Sequence, residues 1–448
     1  MRYSMKAISA SLLTVGLLGA TQASANELYF QLNPNWVGAG VRQAFVFGAA
    51  NTTGSVTGAN GFNQAFDLGS SGFSVITVPN SAELGDNIVQ DLGFKISSNS
   101  NISGYYLSRQ DFTTDMSYLI DGDKLGTKYV VSTYASSFSP EQISVQATQD
   151  NTKVTFSLKT GETVVQTLNA GQTYMVARSQ ELTGSMVESD KPIAVLSGNA
   201  CTNIPSGFSA CDHIVEQMPS VTSLSKEYYV APTPRTGVNG DVVRIVAAEN
   251  GTVVTVNGVS QGTLNAGEFK EIRITAGSSV VADKPVLVAQ YLVGQGAAGT
   301  NTDPAMTIIP GKDQWLKNYV FATPSGTAAF PTDYMSIIIP GTALGSLKFN
   351  GVPVSPTCVM FGVLCYANID VSTQTGPLTV SADELFQLLL SGYDDYDSYF
   401  TYGGAAFAPG ASPNPNPNPG TVPEPASALL VALGLASVAA VRARRKLR

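Results

Sequence analysis

Three residues that lie close together in the chain could carry acid–base or metal chemistry. Asp212, His213 and Glu216 form the one group that combines histidine with carboxylates, and His213 is the only histidine in 448 residues. A histidine beside a carboxylate can act as a general base or as a metal ligand. Because there is one histidine, sites that need several are excluded, and a histidine-dependent triad would have to use this residue.

Two arguments favour a structural role for this cluster. Adjacent residues on a strand point to opposite faces, so Asp212 and His213 converge only if a loop bends the chain. No nucleophile motif of the Gly-x-Ser-x-Gly type accompanies them. We therefore predict a loop held by a neighbouring disulfide, in which Asp212 and Glu216 bond backbone amides, and we assign no catalytic residue. A binding or catalytic cleft formed by the three residues is the alternative.

The four cysteines predict two disulfides, because the chain begins with an export signal. Pairing between near neighbours joins Cys201 to Cys211 and Cys358 to Cys365, and each bridge closes a small loop worth about 2–3 kcal/mol. Free thiols are the alternative. The cysteine spacing does not match a Cys-x-x-Cys metal site, and we predict neither a metal nor a cofactor.

Acidic residues cluster at 121–123 and 394–397. Calcium requires several oxygen ligands, and neither stretch has the spacing of an EF-hand loop. Surface turns are therefore the favoured interpretation. A calcium-dependent carbohydrate-binding protein and a glycan-active enzyme with paired carboxylates stay open as alternatives.

Composition restricts the partners of the chain. It contains 25 basic and 33 acidic residues, with a net charge of −8, and only 13% of its residues are charged. An acidic chain is a poor partner for nucleic acid, whose phosphates require clustered lysine and arginine. The apolar content of 44% is sufficient for a folded core. We predict a folded chain that does not bind nucleic acid.

The first 25 residues have the form of a secretory signal peptide. Arg2 and Lys6 precede an apolar run over 7–20, and small residues precede the predicted cleavage between Ala25 and Asn26. An N-terminal membrane anchor is the alternative. It is less favoured because the apolar run is short for a membrane span of ~20 residues.

The C-terminal end combines three elements. The motif Pro423-Glu424-Pro425 precedes an apolar segment over 426–441 and a basic tail. As a helix, that segment would cover about 24 Å, less than the ~30 Å hydrocarbon core, and basic side chains at its end can bridge the difference. Basic flanks stay cytoplasmic, so an exported body lies outside the inner membrane, which 426–441 crosses transiently. The tail contains Arg442, Arg444, Arg445 and Lys446.

This order of elements resembles the PEP-CTERM sorting signal of Gram-negative bacteria. The resemblance implies recognition by an exosortase, cleavage near 423–425, and release to the cell surface or the exopolysaccharide matrix. A permanent single-pass anchor is the alternative. The linker over 408–422, rich in proline and asparagine, is expected to be extended. Loss of both ends removes seven basic residues and leaves a body with a net charge of −15.

Short runs rich in valine, isoleucine, tyrosine and phenylalanine follow one another through the body and predict β-strands. Their close spacing favours β-sandwiches. Representative predicted strands are Phe73–Val78, Lys128–Tyr134, Lys153–Leu158, Asp241–Ala247 and Thr252–Val256.

Internal similarity divides the body into repeated units. The segment DKPIAV at 190–195 recurs as DKPVLV at 283–288, and LNAG at 168–171 recurs at 264–267. The proline of each DKP segment is expected at the start of a central strand, because it lacks a ladder donor. The predicted fold class is all-β, with about four tandem immunoglobulin-sized, β-sandwich-like units. These units span residues 36–122, 126–215, 225–310 and 316–404.

The body also resembles the N-terminal domain family of IgG Fc-binding protein. The resemblance rests on DKP at 190–192, on CDHIVEQMP at 211–219, and on DPAM at 303–306. It implies a secreted or surface protein without an established enzymatic role. From this resemblance we expect adhesion, or contact with matrix polysaccharide or surface proteins. We do not expect immunoglobulin binding. We therefore predict a structural or adhesive protein rather than an enzyme.

Overall fold

The structure is a computed structural model that describes residues 27–36 and 40–407. Within this range the chain is all-β, as predicted, with 32 strands and only short helices. The predicted signal peptide, the linker over 408–422 and the sorting signal over 423–448 lie outside the described residues. In the described part of the chain, no helix is long and apolar enough to cross a membrane.

The strands are numbered in chain order. The first eight are β1 (Glu27–Phe30), β2 (Val41–Gly48), β3 (Thr53–Gly58), β4 (Phe62–Asp67), β5 (Phe73–Val78), β6 (Phe94–Ser98), β7 (Ile102–Gln110) and β8 (Thr113–Leu119). The next eight are β9 (Lys128–Val130), β10 (Glu141–Ala147), β11 (Thr152–Ser157), β12 (Thr163–Leu168), β13 (Thr173–Arg178), β14 (Met186–Ser189), β15 (Ile193–Asn203) and β16 (Cys211–Gln217).

The second half of the body continues in the same way. Its first eight strands are β17 (Glu227–Val230), β18 (Asp241–Ala247), β19 (Thr252–Val256), β20 (Val259–Leu264), β21 (Phe269–Ile274), β22 (Ser278–Ala282), β23 (Val286–Leu292) and β24 (Ala305–Ile308). The last eight are β25 (Leu316–Phe321), β26 (Thr332–Pro340), β27 (Lys348–Phe349), β28 (Val352–Pro353), β29 (Val359–Phe361), β30 (Leu364–Asp370), β31 (Leu378–Asp394) and β32 (Asp397–Tyr402).

Short helices fill some of the connections between strands. Helix α1 spans Gln295–Ala298. The 3-10 helices span Ala59–Gly61, Gly69–Ser71, Asn80–Ala82, Gly122–Lys124, Val221–Ser223, Lys312–Gln314, Gly326–Ala328 and Gly341–Ser346.

One strand order recurs along the chain. The first 24 strands form six four-stranded sheets, ordered β1-β6-β3-β4 with β5-β2-β7-β8, β9-β14-β11-β12 with β13-β10-β15-β16, and β17-β22-β19-β20 with β21-β18-β23-β24. In the last set the long strand β31 replaces two strands, since its first part pairs with β25 and β27 and its second part with β26 and β32. We refer to these four antiparallel sets as sheet pairs 1 to 4.

The strand predictions agree closely with these bounds. Three predicted strands, Phe73–Val78, Asp241–Ala247 and Thr252–Val256, have the same limits in the structure, whereas β9 ends earlier than expected. Strand β1 precedes residue 36, where the first unit was predicted to begin, because the sequence repeat is weakest there. The division of the body into separate domains remains a prediction.

Apolar side chains join the two sheets of each pair face to face. In sheet pair 1 the ring of Phe30 stacks on Tyr106 across the sandwich, with 5.5 Å between ring centroids. In sheet pair 2 the rings of Phe156 and Tyr174 make the corresponding contact at 5.8 Å. One sheet of each pair is buried on both faces, so strands such as β10 and β18 show no alternation, whereas β11 in the other sheet alternates between buried and exposed residues.

A buried tyrosine near the start of sheet pairs 2, 3 and 4 ties the two sheets together. The hydroxyl of Tyr129 donates to the carbonyl of Ile193 at 2.6 Å, and Tyr228 donates to Val286 at 2.6 Å. Tyr319 donates in the same way to Phe386. Each of these tyrosines follows a lysine by one or two residues in the sequence, and this repeated feature supplies a structural hydrogen bond.

The repeated DKP segments are also explained by hydrogen bonds. The Oδ1 atom of Asp190 accepts a bond from the backbone N–H of Lys153 at 2.8 Å, and Asp283 accepts one from Val253 at 2.8 Å. The ammonium of Lys191 donates to a carbonyl of the preceding hairpin turn. Each proline directly precedes a central strand, as expected. These repeats stabilise turns and do not form a chemical site.

Two exposed aromatic residues have a strained backbone. Eight non-glycine residues of the described chain have positive φ, and six of them are asparagine. The other two, Phe112 at 64° and Tyr396 at 53°, lie in the two-residue turns of the β7–β8 and β31–β32 hairpins. A bulky side chain in this left-handed region costs roughly 1–2 kcal/mol.

We expect Phe112→Asn to raise the free energy of unfolding by about 1 kcal/mol, because asparagine tolerates the left-handed conformation. Phe112 is 63% exposed, so little buried apolar surface is lost. Urea unfolding of the purified chain measures the change. The control is Phe138→Asn, which removes another exposed phenylalanine whose φ is not positive. Equal effects of the two substitutions would contradict the role of backbone strain.

Candidate functional site

The last strand of each sheet pair lies at the centre of the molecule. Strand β8 lies against β16 and β32, and β24 lies against the same two strands. The first sheet pair is therefore in contact with the fourth, and the four pairs close into a ring around these strands. We refer to the region where β8, β16, β24 and β32 meet as the hub.

A single buried carboxylate bonds all four hub strands. The Oδ1 atom of Asp115 accepts backbone N–H bonds from Met116 at 2.9 Å and from Phe400 at 3.0 Å. Its Oδ2 atom accepts bonds from Val215 and Met306, both at 3.0 Å. Burial raises the pKa of Asp115, and the four amides oppose that shift because they bond the ionised form.

The four hub strands run in the same direction. Early in β8 the N–H of Thr114 donates to Asp212, and later the N–H of Gln217 donates to Ser117. Strand β32 runs in the same sense, because Ser398 bonds Asp212 and Phe400 bonds Asp115. Strand β24 does so as well, because Met306 bonds Asp115 and Thr307 bonds Glu216. The connections that precede these strands therefore lie at one end of the hub. We refer to this end, formed by 111–112, 204–210, 293–304 and 395–396, as the tip face.

The predicted cluster lies in the hub. Asp212, His213 and Glu216 lie on strand β16 and are each 0% exposed, so the prediction that they occupy a loop is wrong. Thr202 and Asn203 of β15 pair with Asp212 and Cys211 of β16, so the strand ladder continues as far as the disulfide. The bridge therefore closes the end of a hairpin and does not hold an irregular loop.

The two acidic residues of the cluster bond groups on neighbouring hub strands. Oδ1 of Asp212 accepts the N–H of Thr114 at 2.7 Å, and its Oδ2 accepts the N–H of Ser398 at 3.3 Å. Glu216 accepts the hydroxyl of Ser117 at 2.5 Å and that of Thr307 at 3.2 Å. Burial raises the pKa of both carboxyl groups. Their hydrogen bonds join sheet pairs, and both residues bond backbone amides as predicted, since Glu216 also accepts the N–H of Gln217 at 3.1 Å.

His213 points away from these carboxylates. Its Nδ1 atom lies 3.0 Å from the carbonyl of Asn199 on the adjacent strand, which assigns the proton to Nδ1. Burial, together with the charge of Arg42, lowers the pKa of His213 to about 3. The imidazole is therefore neutral, enclosed and turned from Asp212, so the three residues do not converge on one cleft.

A fourth carboxyl group, that of Asp303, lies beside Asp212. It is fully buried, and neither of its oxygens has a hydrogen-bond partner among the described residues. Burial raises the pKa of Asp303 to about 8. The pKa of Asp212 is raised by burial first and by the neighbouring Asp303 and Asp115 after that. Asp303 is thus protonated at neutral pH, which avoids an uncompensated charge in the hub.

The protonation of Asp303 predicts how the free energy of unfolding changes with pH. Between about pH 4 and 8 the folded chain keeps a proton that the unfolded chain has lost, so its contribution to stability falls as pH rises. The lowered pKa of His213 has the opposite effect. Its contribution to the free energy of unfolding is lost as the pH falls from about 6.5 towards 3. Comparison of the wild-type chain with a variant that lacks the Asp303 carboxyl group separates its contribution from those of His213 and of other buried carboxyl groups, such as Asp121 and Asp333.

The Asp303 carboxyl group is expected to lower the free energy of unfolding of the wild-type chain as the pH rises from 5 to 8. In Asp303→Asn this fall should be smaller by an amount on the order of 3 kcal/mol. Asparagine has the same shape and does not titrate. Urea unfolding at both pH values, on the wild-type chain and the variant, gives the two differences. Asp313→Asn, on an exposed turn, is the control and should leave the pH dependence unchanged. An unchanged pH dependence in Asp303→Asn would contradict a protonated carboxyl group.

Both predicted disulfides are present, joining Cys201 to Cys211 and Cys358 to Cys365. The first encloses the 204–210 segment of the tip face. The acidic stretches lie only in part at surface turns, since 122–124 is a 3-10 helix and 395–396 is a hairpin turn, whereas Asp397 is buried on β32. Among the residues that the structure describes, no group of three or more histidine, cysteine, aspartate or glutamate side chains could hold a metal ion.

An open cleft of about 460 Å³ lies at the tip face, between sheet pairs 2 and 3. Backbone bonds join two of its walls, from Gly296 to Ser209 at 2.7 Å and from Gly294 to Ile204 at 2.8 Å. Its volume falls within the usual range for small-ligand sites, about 300–1,000 Å³. The cleft is lined by Pro205, Phe208, Val238, Asn239, Arg273, Thr275 and Ala297.

Sequence reasoning missed the residues that organise the hub. Asp115 and Asp303 were not selected as candidates, and neither was Arg109, which forms an ion pair with Asp397 on the last hub strand. One signal was available for Asp115, a single acidic residue inside a buried strand, because burial of a lone carboxylate requires partners. Its partners could not be read from the sequence, since they come from distant strands.

These observations define a class of all-β protein in which sandwich-like sheet pairs close around a buried polar hub. Within this class the chain belongs to the IgGFc binding protein family, whose model matches residues 115–392. Residues 421–446 match the PEP-CTERM protein-sorting motif. The chain is 26% identical over 330 residues to the IgGFc-binding protein of Homo sapiens, an alignment that covers 68% of this chain and 6% of the human protein.

Proposed function

We propose that the protein is exported and sorted to the cell surface or the exopolysaccharide matrix of a Gram-negative bacterium. The match of residues 421–446 to the PEP-CTERM protein-sorting motif carries this proposal. An exosortase is the expected processing partner, acting near Pro423-Glu424-Pro425. The apolar segment over 426–441 holds the precursor in the inner membrane until cleavage. The basic tail fixes the orientation of that precursor.

The body has a structural or adhesive binding role in this proposal. Membership of the IgGFc binding protein family supports binding rather than catalysis. The burial of Asp212, His213 and Glu216 supports the same choice, because a substrate cannot reach them. A closed ring of sheet pairs, with the tip-face connections held at one end, is a rigid scaffold from which loops can bind a partner.

The C-terminal mass of the surface form tests the sorting proposal. We expect protein released from cells to end near residues 423–425 and to lack peptides from 426–441. Substitution of the motif, as in Glu424→Ala, should leave an unprocessed, membrane-associated precursor. A matched control, Asn418→Ala in the linker, should be processed as the wild type is. Recovery of peptides from 426–441 in the released protein would refute cleavage and favour a permanent anchor.

A further inference from the structure

We propose that the tip-face cleft between sheet pairs 2 and 3 binds a uronic acid residue of an acidic polysaccharide. This proposal rests on the proposed function, since it names a ligand class for the surface-binding body. The walls of the cleft come from three connections, the disulfide-enclosed segment 204–210, the β17–β18 connection and α1. Backbone bonds between two of these walls keep the cleft open.

The charged group of the cleft is Arg273, on strand β21. Its Nε atom donates to the carbonyl of Asn239 at 3.0 Å, which orients the guanidinium. Arg273 has no acidic partner among the described residues, so its terminal nitrogens are available to a ligand. A guanidinium with two adjacent N–H donors matches a carboxylate, which it can bind through two parallel hydrogen bonds.

Apolar side chains are exposed beside this arginine. Phe208 is 45% exposed and Val238 is 90% exposed. An aromatic ring and an aliphatic side chain next to a few polar groups are the usual lining of a small-ligand site. The flat, apolar face of a pyranose ring can pack on Phe208 while its carboxylate binds Arg273.

The remaining polar groups favour a sugar over the C-terminus of a peptide. The lining includes Asn239 and Thr275, whose side-chain amide and hydroxyl can both donate and accept hydrogen bonds as sugar hydroxyls do. A peptide C-terminus is usually bound by a series of backbone N–H groups. Here the anion-binding group is a single side chain.

A larger cleft at 159–181 is a weaker candidate, because its charged groups already have partners. Arg178 binds both carboxylate oxygens of Glu162, and the ammonium of Lys159 donates to the carbonyl of Gly267. Arg273 therefore stands out among the groups that line these two clefts. The net charge of −15 predicted for the mature body opposes a polyanion, so binding should depend strongly on this one arginine.

The test is a titration of the purified chain with galacturonic acid trimer, followed by ligand-observed NMR and calorimetry. We expect saturable binding that weakens at least tenfold in Arg273→Gln and in Phe208→Ser. The matched control is Lys270→Gln, which removes the same charge from the same strand but on its opposite face, and which should change the dissociation constant less than twofold. Maltotriose, which has no carboxylate, should not bind.

Three outcomes would overturn the proposal. They are no binding of the trimer at millimolar concentration, equal weakening in Lys270→Gln and Arg273→Gln, and tighter binding of an apolar tripeptide with a free carboxylate. The last would assign the cleft to a peptide. Melting temperatures of all variants exclude unfolding as the cause. Absence of binding in this titration would not contradict the sorting proposal, because the titration uses purified protein and the sorting test uses only the C-terminal mass.

Discussion

Replacing Asp115 by asparagine is expected to lower the free energy of unfolding by about 4 kcal/mol. The carboxylate accepts four backbone N–H bonds, one from each hub strand. Asparagine keeps one acceptor oxygen and turns an NH₂ group towards two amide donors. Two buried N–H groups then lack an acceptor, and each costs about 1–3 kcal/mol.

Urea unfolding of the purified chain, monitored by tyrosine fluorescence and circular dichroism, measures this loss. The matched control is Asp123→Asn, which makes the same change at an exposed turn and should stay within about 0.5 kcal/mol of the wild type. Because Asp115 bonds all four sheet pairs, we also expect the two signals to lose their coincidence in the variant. A loss below about 1 kcal/mol would show that the hub does not depend on this carboxylate.

Local features of the fold could be predicted from the sequence. Strand limits such as Asp241–Ala247 follow from runs of β-branched residues, and the repeated DKP segments correctly placed prolines ahead of central strands. These features depend on neighbours within about 40 residues. The disulfide between Cys201 and Cys211 was predictable for the same reason, because its partners are close in sequence.

The arrangement of the sheet pairs could not be predicted in this way. The hub depends on side-chain bonds between strands that are 100 to 285 residues apart, as in the bonds from Asp115 to Val215 and to Phe400. A periodic pattern within one unit carries no information about such contacts. The pattern at 212–216 therefore predicts a structural role, but it does not predict a strand, because the strands that bury these residues are distant in the sequence.

The arrangement of the tip face could not be predicted from the sequence for the same reason. Phe112 and Phe208 belong to connections far apart in the chain, and they come to one end only because the hub strands run in the same direction. Sequence reasoning treated each turn separately. The cleft beside Arg273 combines residues from 205 to 297, and no single segment of the sequence contains its lining.

An ion pair that joins the first and last sheet pairs is expected to make the second large contribution to the free energy of unfolding. Arg109 on β7 forms an ion pair with Asp397 on β32, although 288 positions separate them in the chain. The guanidinium also donates to Thr114 at 3.1 Å and lies 4.4 Å from the ring centroid of Phe330. The side chain of Asp397 is only 2% exposed, so loss of the arginine leaves a buried carboxylate without its partner.

We therefore expect Arg109→Met to lower the free energy of unfolding by about 3–5 kcal/mol, because a buried charge is left uncompensated. Methionine retains most of the apolar volume and separates the charge effect from a loss of packing. The control is Arg178→Met, which removes a guanidinium from the more exposed pair with Glu162 and should cost much less than Arg109→Met. Urea unfolding supplies both values.

A double-mutant cycle decides whether the effect comes from the ion pair. When Asp397→Asn is added to Arg109→Met, the buried charge disappears, and the double variant should recover at least about 1 kcal/mol relative to the sum of the single losses. Such coupling would connect the first and last sheet pairs energetically as well as in space. Strict additivity would instead mean that Arg109 stabilises sheet pair 1 alone, through Thr114, and that closure of the ring rests on the backbone bonds of Asp115.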